Sequence, residues 1–303
     1  MWGSGISVDD GVVEWSEFPF PPEPGPGQIL VAVEAAGVGP WDDLVRQGSW
    51  DVGLRPPAAL GVEGTGRVVA VGPGVTTVSV GDAVLAHEAP LPGGGGFWAE
   101  RVLLTAAHVA SRPPALDVVA AAALPVGGLT AAQALEAVQL TPGDRLLVTG
   151  GAGGTGVLVV QLAARAGLHV TATASPSSTP RLRRLGADTV IDYHDPQRLE
   201  HADGPFDAAV VAAVGTAAAA LRVVRDGGRL CSLTSDAPPA QRDITTSDLY
   251  VRPDGQELAR LADTLTDGTL EVQPEVLPLQ DGGPALTRVL AGRTRGRKLV
   301  LCP

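Results

Sequence analysis

The stretch LLVTGGAGGTGVLVVQLAARAGLHV, residues 146–170, constrains this chain more than any other. An apolar run enters a cluster of glycines and leaves as an apolar pattern that stops at Gly167. Gly151, Gly153 and Gly156 form G-x-G-x-x-G between an expected strand, Arg145–Thr149, and an expected helix from about Gly154 to Ala166. In that setting the first glycine permits a tight turn and the second lets a pyrophosphate reach the backbone. The third lets helix and strand pack closely. The helix N-terminus then offers unpaired N–H groups and a partial positive charge to phosphate. Gly151, Ala152, Gly153, Gly154, Thr155 and Gly156 are therefore expected to bind a dinucleotide. An ordinary glycine-rich turn is the bland alternative. A P-loop is excluded, because no Lys-Ser/Thr pair follows the glycines.

Further strand patterns surround this unit: His169–Ala174, Thr189–Ile191, Ala208–Ala212 and Arg229–Leu233. They are short, β-branched and almost continuously apolar, as strands covered on both faces are. Residues 116–240 thus read as a Rossmann domain, a doubly wound parallel sheet. Residues 1–115 are β-rich instead. QILVAVEAAGV alternates apolar and small or polar positions, and GRVVAVGPGV and GDAVLAHEA are further strands between Gly and Pro punctuation. Residues 241–303 carry one helix, Gln256–Thr266, and strand-like runs that the simplest topology returns to the N-terminal domain. Two domains suit a chain of 303 residues, since single cores rarely grow past about 250. The cleft between them is the expected site.

Cofactor choice is read about 20 residues beyond the glycines, where an acid would hold a ribose 2′-hydroxyl. Here the sequence is TATASPSSTPRLRRLGAD. Ser175 holds the position, no acid is near it in sequence, and Arg181, Arg183 and Arg184 follow. Hydroxyls and cations without a carboxylate favour NADPH. Arg181 is the better phosphate ligand; Arg183 and Arg184 suit a solvated helix face.

Composition excludes several classes. A net charge of −11 disfavours nucleic acid and anionic membranes as partners. Two cysteines, Cys231 and Cys302, make no disulfide framework and no thiolate metal site, which suits a cytoplasmic setting. The N-terminal residues lack the basic and apolar regions of a signal peptide. The uncharged run 208–221 is too short to span a bilayer, and Gly215 within it marks a strand–turn–helix.

With these motifs in hand, the chain resembles the medium-chain dehydrogenase/reductase superfamily, in its zinc-independent quinone oxidoreductase branch. The matching segments run nearly end to end: AAGVGPWDDLVRQG, LGVEGTGRVVAVGPGV, VGDAVL, GGFWAERV, AAALPVGGLTAAQAL, LTPGDRLLVTGGAGGTG, LRRLGADTVIDY and GRTRGRKLVL. The resemblance implies a GroES-like catalytic domain, an inserted Rossmann domain and a dimer or tetramer, of which a homodimer is the expectation. It also implies a small-molecule quinone or enone as substrate and no membrane or nucleic-acid partner.

The departures from the family pattern shape the expected chemistry. Gly39 and Val62 stand where zinc-dependent relatives place a cysteine and a histidine, so no catalytic metal is expected. Without a Lewis acid the acceptor must be electron-poor already, as a quinone or an α,β-unsaturated carbonyl is. Gly39 also replaces the Asn of G-V-N-P-x-D, and Trp98 replaces the tyrosine proton donor of enoyl reductases, which leaves solvent to supply the proton. The resemblance places Pro40, Trp41, Trp50 and Trp98 around the substrate, with Trp41 and Thr130 nearest the chemistry. Thr130, Tyr193 and Val214 join the cofactor set. Asp42 and Glu63 read equally as a helix cap and an interior hydrogen-bond partner, and His87 and His108 as satisfied polar residues. A pathway-specific enoyl reductase of secondary metabolism is the rival enzyme. A non-catalytic NADPH-binding redox sensor is the rival of another class.

Overall fold

A computed structural model of the chain describes residues 1–7, 11–195 and 204–303. The chain divides into two units, Met1–Leu129 with Arg252–Pro303, and Thr130–Val251. The expected boundaries, 115/116 and 240/241, lie earlier than these. Two elements account for the difference. The helix Val118–Ala122 packs on the first unit's strands Gln28–Val38 and Glu63–Val71. The strand Thr245–Asp248 extends the second unit's sheet.

In the second unit six strands lie parallel. Their spatial order is Thr189–Asp192, His169–Ala174, Arg145–Thr149, Phe206–Val211, Val224–Ser232, Thr245–Asp248. Numbered by chain position within the unit, that is 3-2-1-4-5-6, the order of dinucleotide-binding sheets. The order reverses between Arg145–Thr149 and Phe206–Val211, and ligands bind beyond the carboxyl ends of strands at such a switch point. The central strands are apolar throughout because both faces are covered: Leu146, Leu147, Val148, Ala208, Ala209, Val210 and Val211 are fully buried. The run 208–221 resolves as expected. It gives a buried strand, a left-handed turn at Gly215 (φ +77°) and the helix Ala217–Val223.

The first unit is built on a seven-stranded sheet. Along it lie Pro274–Pro278, Lys298–Cys302, Gln28–Val38, Glu63–Val71, Ala83–His87 and Val109–Ser111, with Arg101–Thr105 also on Gln28–Val38. The C-terminal strand does return: Leu299 pairs with Val38 and Val300 with Gly37, antiparallel. Gly64 pairs with Ala36, and Glu63 with His87. These registers bring Lys298, the Gly37–Val38 end of its strand, Glu63 and His87 into one row across four neighbouring strands.

Candidate functional site

The glycine turn of the second unit is shaped by close approach. A Cβ on Gly156 would fall 2.2 Å from the Gly150 carbonyl oxygen, and one on Gly151 2.7 Å from the Ala172 Cβ. A side chain at Gly156 would therefore collide with the start of the turn itself. The turn itself corrects the expectation: Gly150, not Gly151, adopts the left-handed conformation (φ +67°), and its N–H donates to Thr173 Oγ1 at 3.0 Å. Gly151 instead lets this turn press against the neighbouring strand. Beside Gly154 there is open space for a ligand. The helix Gly156–Arg165 begins there, with Thr155 as its N-cap. This cradle, a helix N-terminus at a switch point, fits the pyrophosphate of a nicotinamide dinucleotide.

At the end of the second strand, Ser175 Oγ lies 3.0 Å from Ser177 Oγ and 3.3 Å from Ser178 Oγ. Three hydroxyls gather where sequence reading singled out one. Arg181 follows half-buried on the short helix Thr179–Arg184, whereas Arg183 and Arg184 are exposed. Space also supplies an acid that local sequence does not: Asp192 pairs in register with Ala174, the neighbour of Ser175. Its carboxylate accepts from the His194 backbone N–H at 3.0 Å and lies 2.8 Å from His194 Nδ1. Tyr193 and Val214 stand at strand ends with 58% and 82% of their surface exposed. Thr130 is buried on the helix Pro125–Val138, at the start of the second unit.

The first unit gathers charge around Trp41. Glu63 is fully buried, accepts from the Val126 N–H at 2.8 Å and forms an ion pair with Lys298, the chain's only lysine. The Lys298 ammonium sits 4.4 Å from the centroid of the Trp41 ring, a cation–π contact. On its own chain segment, the Trp41 ring covers Gly39. A Cβ at Gly39 would fall 2.1 Å from Trp41 Cε2. Asp42, one residue further into the short helix Trp41–Arg46, reaches back to accept from the Gly39 N–H at 2.8 Å. It stabilises the turn that enters the helix, but Pro40, not Asp42, holds the N-cap position. Burial raises the Asp42 carboxyl to about 8, against the Gly39 N–H and the Lys298 charge, which favour the anion.

Trp50 approaches the His87 ring with centroids 6.2 Å apart, and His87 Nδ1 lies 2.9 Å from the Val62 carbonyl, to which it donates. His108 and the fully buried Glu88 meet at 2.9 Å, and the Thr105 N–H and Oγ1 complete the carboxylate's partners. Both histidines are thus held by local acceptors. Trp98 corrects the substrate set. It is fully buried, its Nε1–H donates to Gly37 O at 3.0 Å, and Gly61 and Gly282 pack on its ring. An indole so enclosed belongs to the core and presents no face to a substrate. Sequence reading missed Lys298 as a site neighbour; its being the single lysine was the available signal.

At the two positions where zinc-dependent relatives carry ligands, this chain has Gly39 and Val62. Gly39 and Val62 carry no donor atoms, and the Trp41 ring occupies the space into which a side chain at residue 39 would grow. Among the described residues no cluster of three or more His, Cys, Asp or Glu could hold a metal ion. Nor, among them, is any helix long and apolar enough to cross a membrane.

Residues 25–114 match the alcohol dehydrogenase GroES-like domain, and residues 185–301 the zinc-binding dehydrogenase family. An NADPH-dependent alkenal/one oxidoreductase, chloroplastic, from Arabidopsis thaliana is 34% identical over 85% of this chain and 66% of its own length. A 2-methylene-furan-3-one reductase from Solanum lycopersicum is 36% identical over 83% of this chain and 64% of its own. The chain thus spans just under two thirds of the length of these curated relatives. The quinone oxidoreductase from Coxiella burnetii superposes with a TM-score of 0.88 at 28% identity, over 100% of this chain and 98% of that one. The chain belongs to the medium-chain dehydrogenase/reductase superfamily, among its quinone oxidoreductase-like members.

Proposed function

We propose that the chain is an NADPH-dependent oxidoreductase that reduces a quinone or an α,β-unsaturated carbonyl without a catalytic metal. The packing of the Trp41 ring onto Gly39 carries this reading, because it replaces the first metal-ligand position with an aromatic surface. A carbonyl that no cation polarises is a poor hydride acceptor, and conjugation supplies the missing activation. The names of the relatives, an alkenal/one oxidoreductase and a furanone reductase, describe acceptors of this class.

Bound NADPH would supply a hydride. The residues of the chain hold and orient the reactants. The Gly150–Gly156 turn and the helix N-terminus behind it take the pyrophosphate. Ser175, Ser177, Ser178 and Arg181 take the 2′-phosphate, with charge-assisted hydrogen bonds that NADH does not make. Trp41 gives a flat acceptor a face to stack on, and Lys298 behind the indole fixes that ring in place. Pro40, exposed at the mouth of the short helix, and Thr130 carry over from the family pattern as neighbours of the reactants, and Trp50 as a wall beside His87. Asp42 retains its proton at neutral pH but has no exposed surface, so the proton that completes the reduction comes from water. A homodimer in the cytoplasm suits this reading. Multiple-turnover oxidation of NADPH with a panel of quinones and enones tests it, and no turnover with any of them would leave the redox-sensor alternative standing.

A further inference from the structure

A polar clasp in the second unit joins three strand ends that sequence reading left unconnected. Ser232, fully buried, ends the strand Val224–Ser232. Its hydroxyl donates to Asp236 Oδ1 at 2.7 Å, and Thr234 Oγ1 donates to the same oxygen at 2.7 Å. The other carboxylate oxygen, Oδ2, crosses to the loop after the fourth strand and accepts from the Gly215 N–H at 2.9 Å. The next residue, Thr216, places Oγ1 2.8 Å from Thr149 Oγ1, and Thr149 is the last residue before the glycine turn. Gly150 in turn leaves no room against this loop: a Cβ there would fall 2.9 Å from the Ala212 oxygen. The carboxylate therefore ties the ends of strands five, four and one together at the switch point. Burial would raise the Asp236 carboxyl, but donation from Ser232, Thr234 and Gly215 outweighs it and holds the group below the usual carboxylate range.

We propose that Asp236 is a positioning residue for the cofactor, which sets the Ala212–Thr216 loop against the glycine turn so that it holds the nicotinamide-bearing half. The inference rests on the NADPH reading above. A dinucleotide lies across the switch point with its adenosine half toward strands two and three and its pyrophosphate at the first turn. The loop after strand four then faces the other half. Gly215 has open space on its outer side, and Val214 is exposed there. No atom of Asp236 needs to touch the ligand; it acts through the Gly215 N–H.

The test separates the two halves of the cofactor. Dissociation constants are measured by fluorescence for NADPH and for adenosine 2′,5′-bisphosphate, with melting temperatures, for the wild type, Asp236→Ala and Asp236→Asn. The alanine variant loses the acceptor for Gly215. It should weaken NADPH about tenfold and leave the bisphosphate within about twofold. The asparagine variant keeps a carbonyl for Gly215 and an amide for the two hydroxyls, so it should bind NADPH nearly as the wild type does. Equal weakening of both ligands by alanine, in step with a lowered melting temperature, would reduce Asp236 to a structural residue and overturn the proposal. Unchanged binding of both would overturn it too. Wild-type protein that binds neither ligand would overturn the cofactor reading, and this inference with it.

Discussion

The indole of Trp41 lies on the α-carbon of Gly39, two residues earlier, so closely that a Cβ there would come within 2.1 Å of the ring. The absent side chain at residue 39 and the large one at residue 41 are therefore a single feature. In the family pattern the first position carries a cysteine in zinc-dependent members and an asparagine in quinone reductases. Either side chain would displace the ring. Gly39→Ala should destabilise the chain by about 1–3 kcal/mol, the range for overpacking a filled site. The cost should fall when Trp41→Ala is made as well, since contacting residues couple. Urea unfolding of the two single variants and the double variant measures this. A Gly39→Ala variant of unchanged stability would show that the ring moves freely.

The pairing behind that ring is a second point of leverage. Glu63 is fully buried, and Lys298 is the cation beside it. Lys298→Met should cost about 3–5 kcal/mol, because it strands a buried carboxylate. Adding Glu63→Gln should recover much of the loss. If the single variant unfolds at the same urea concentration as the wild type, the pair is not formed in solution.

The Asp42 carboxyl gives a pH dependence of fixed sign. Its proton is held in the folded state up to about 8, whereas the unfolded chain releases it near the ordinary 3.8. Between those values the folded state binds more protons, so the contribution of Asp42 to stability declines as pH rises and is level above about 8. Asp42→Asn removes the titration. Its melting temperature should gain on that of the wild type steadily from pH 4 toward pH 8, at roughly constant offset beyond. Parallel curves throughout would contradict the burial of an uncharged acid.

Cofactor preference follows from the hydroxyls at Ser175, Ser177 and Ser178 and from Arg181. Charge-assisted bonds to a 2′-phosphate are worth about 1.5–3 kcal/mol, or roughly ten- to a hundredfold in affinity for NADPH over NADH. Ser175→Asp should reverse much of that by setting a carboxylate beside the phosphate. Fluorescence titration with both cofactors decides it; equal affinities in the wild type would remove the basis for NADPH.

Much of the second unit was legible because its signals are local. Arg145–Thr149 is an apolar run between Gly143 and Gly150, His169–Ala174 alternates β-branched and small residues after Gly167, and both strands form over those residues. The strand Thr245–Asp248 escaped notice because Thr-Thr-Ser-Asp has no apolar pattern; it lies at a sheet edge, where polar residues face water. The division at Leu129 was hidden for a different reason. It falls inside one helix, Pro125–Val138, which runs on without a break through Gly127 and Gly128, so no loop marks it. Trp98 was expected at the substrate because it stands where enoyl reductases of the family carry a tyrosine, a position that says nothing of its burial. Gly61 and Gly282, from distant parts of the sequence, make room to bury it. The Glu63–Lys298 pair joins residues 235 positions apart, and only the pairing of the C-terminal strand with Gln28–Val38 brings them together.

The central claim is that a metal-free chain passes hydride to the carbon of a conjugated acceptor and takes its proton from water. The most direct measurement uses NADPH deuterated at C4 with an enone, in light and in heavy water, and locates the label by mass spectrometry. The expected product carries deuterium from the cofactor on its β-carbon and a solvent-derived hydrogen on its α-carbon, with the rate unchanged by prior dialysis against a strong chelator. Deuterium absent from the β-carbon, or activity lost to the chelator and restored by zinc, would contradict the account.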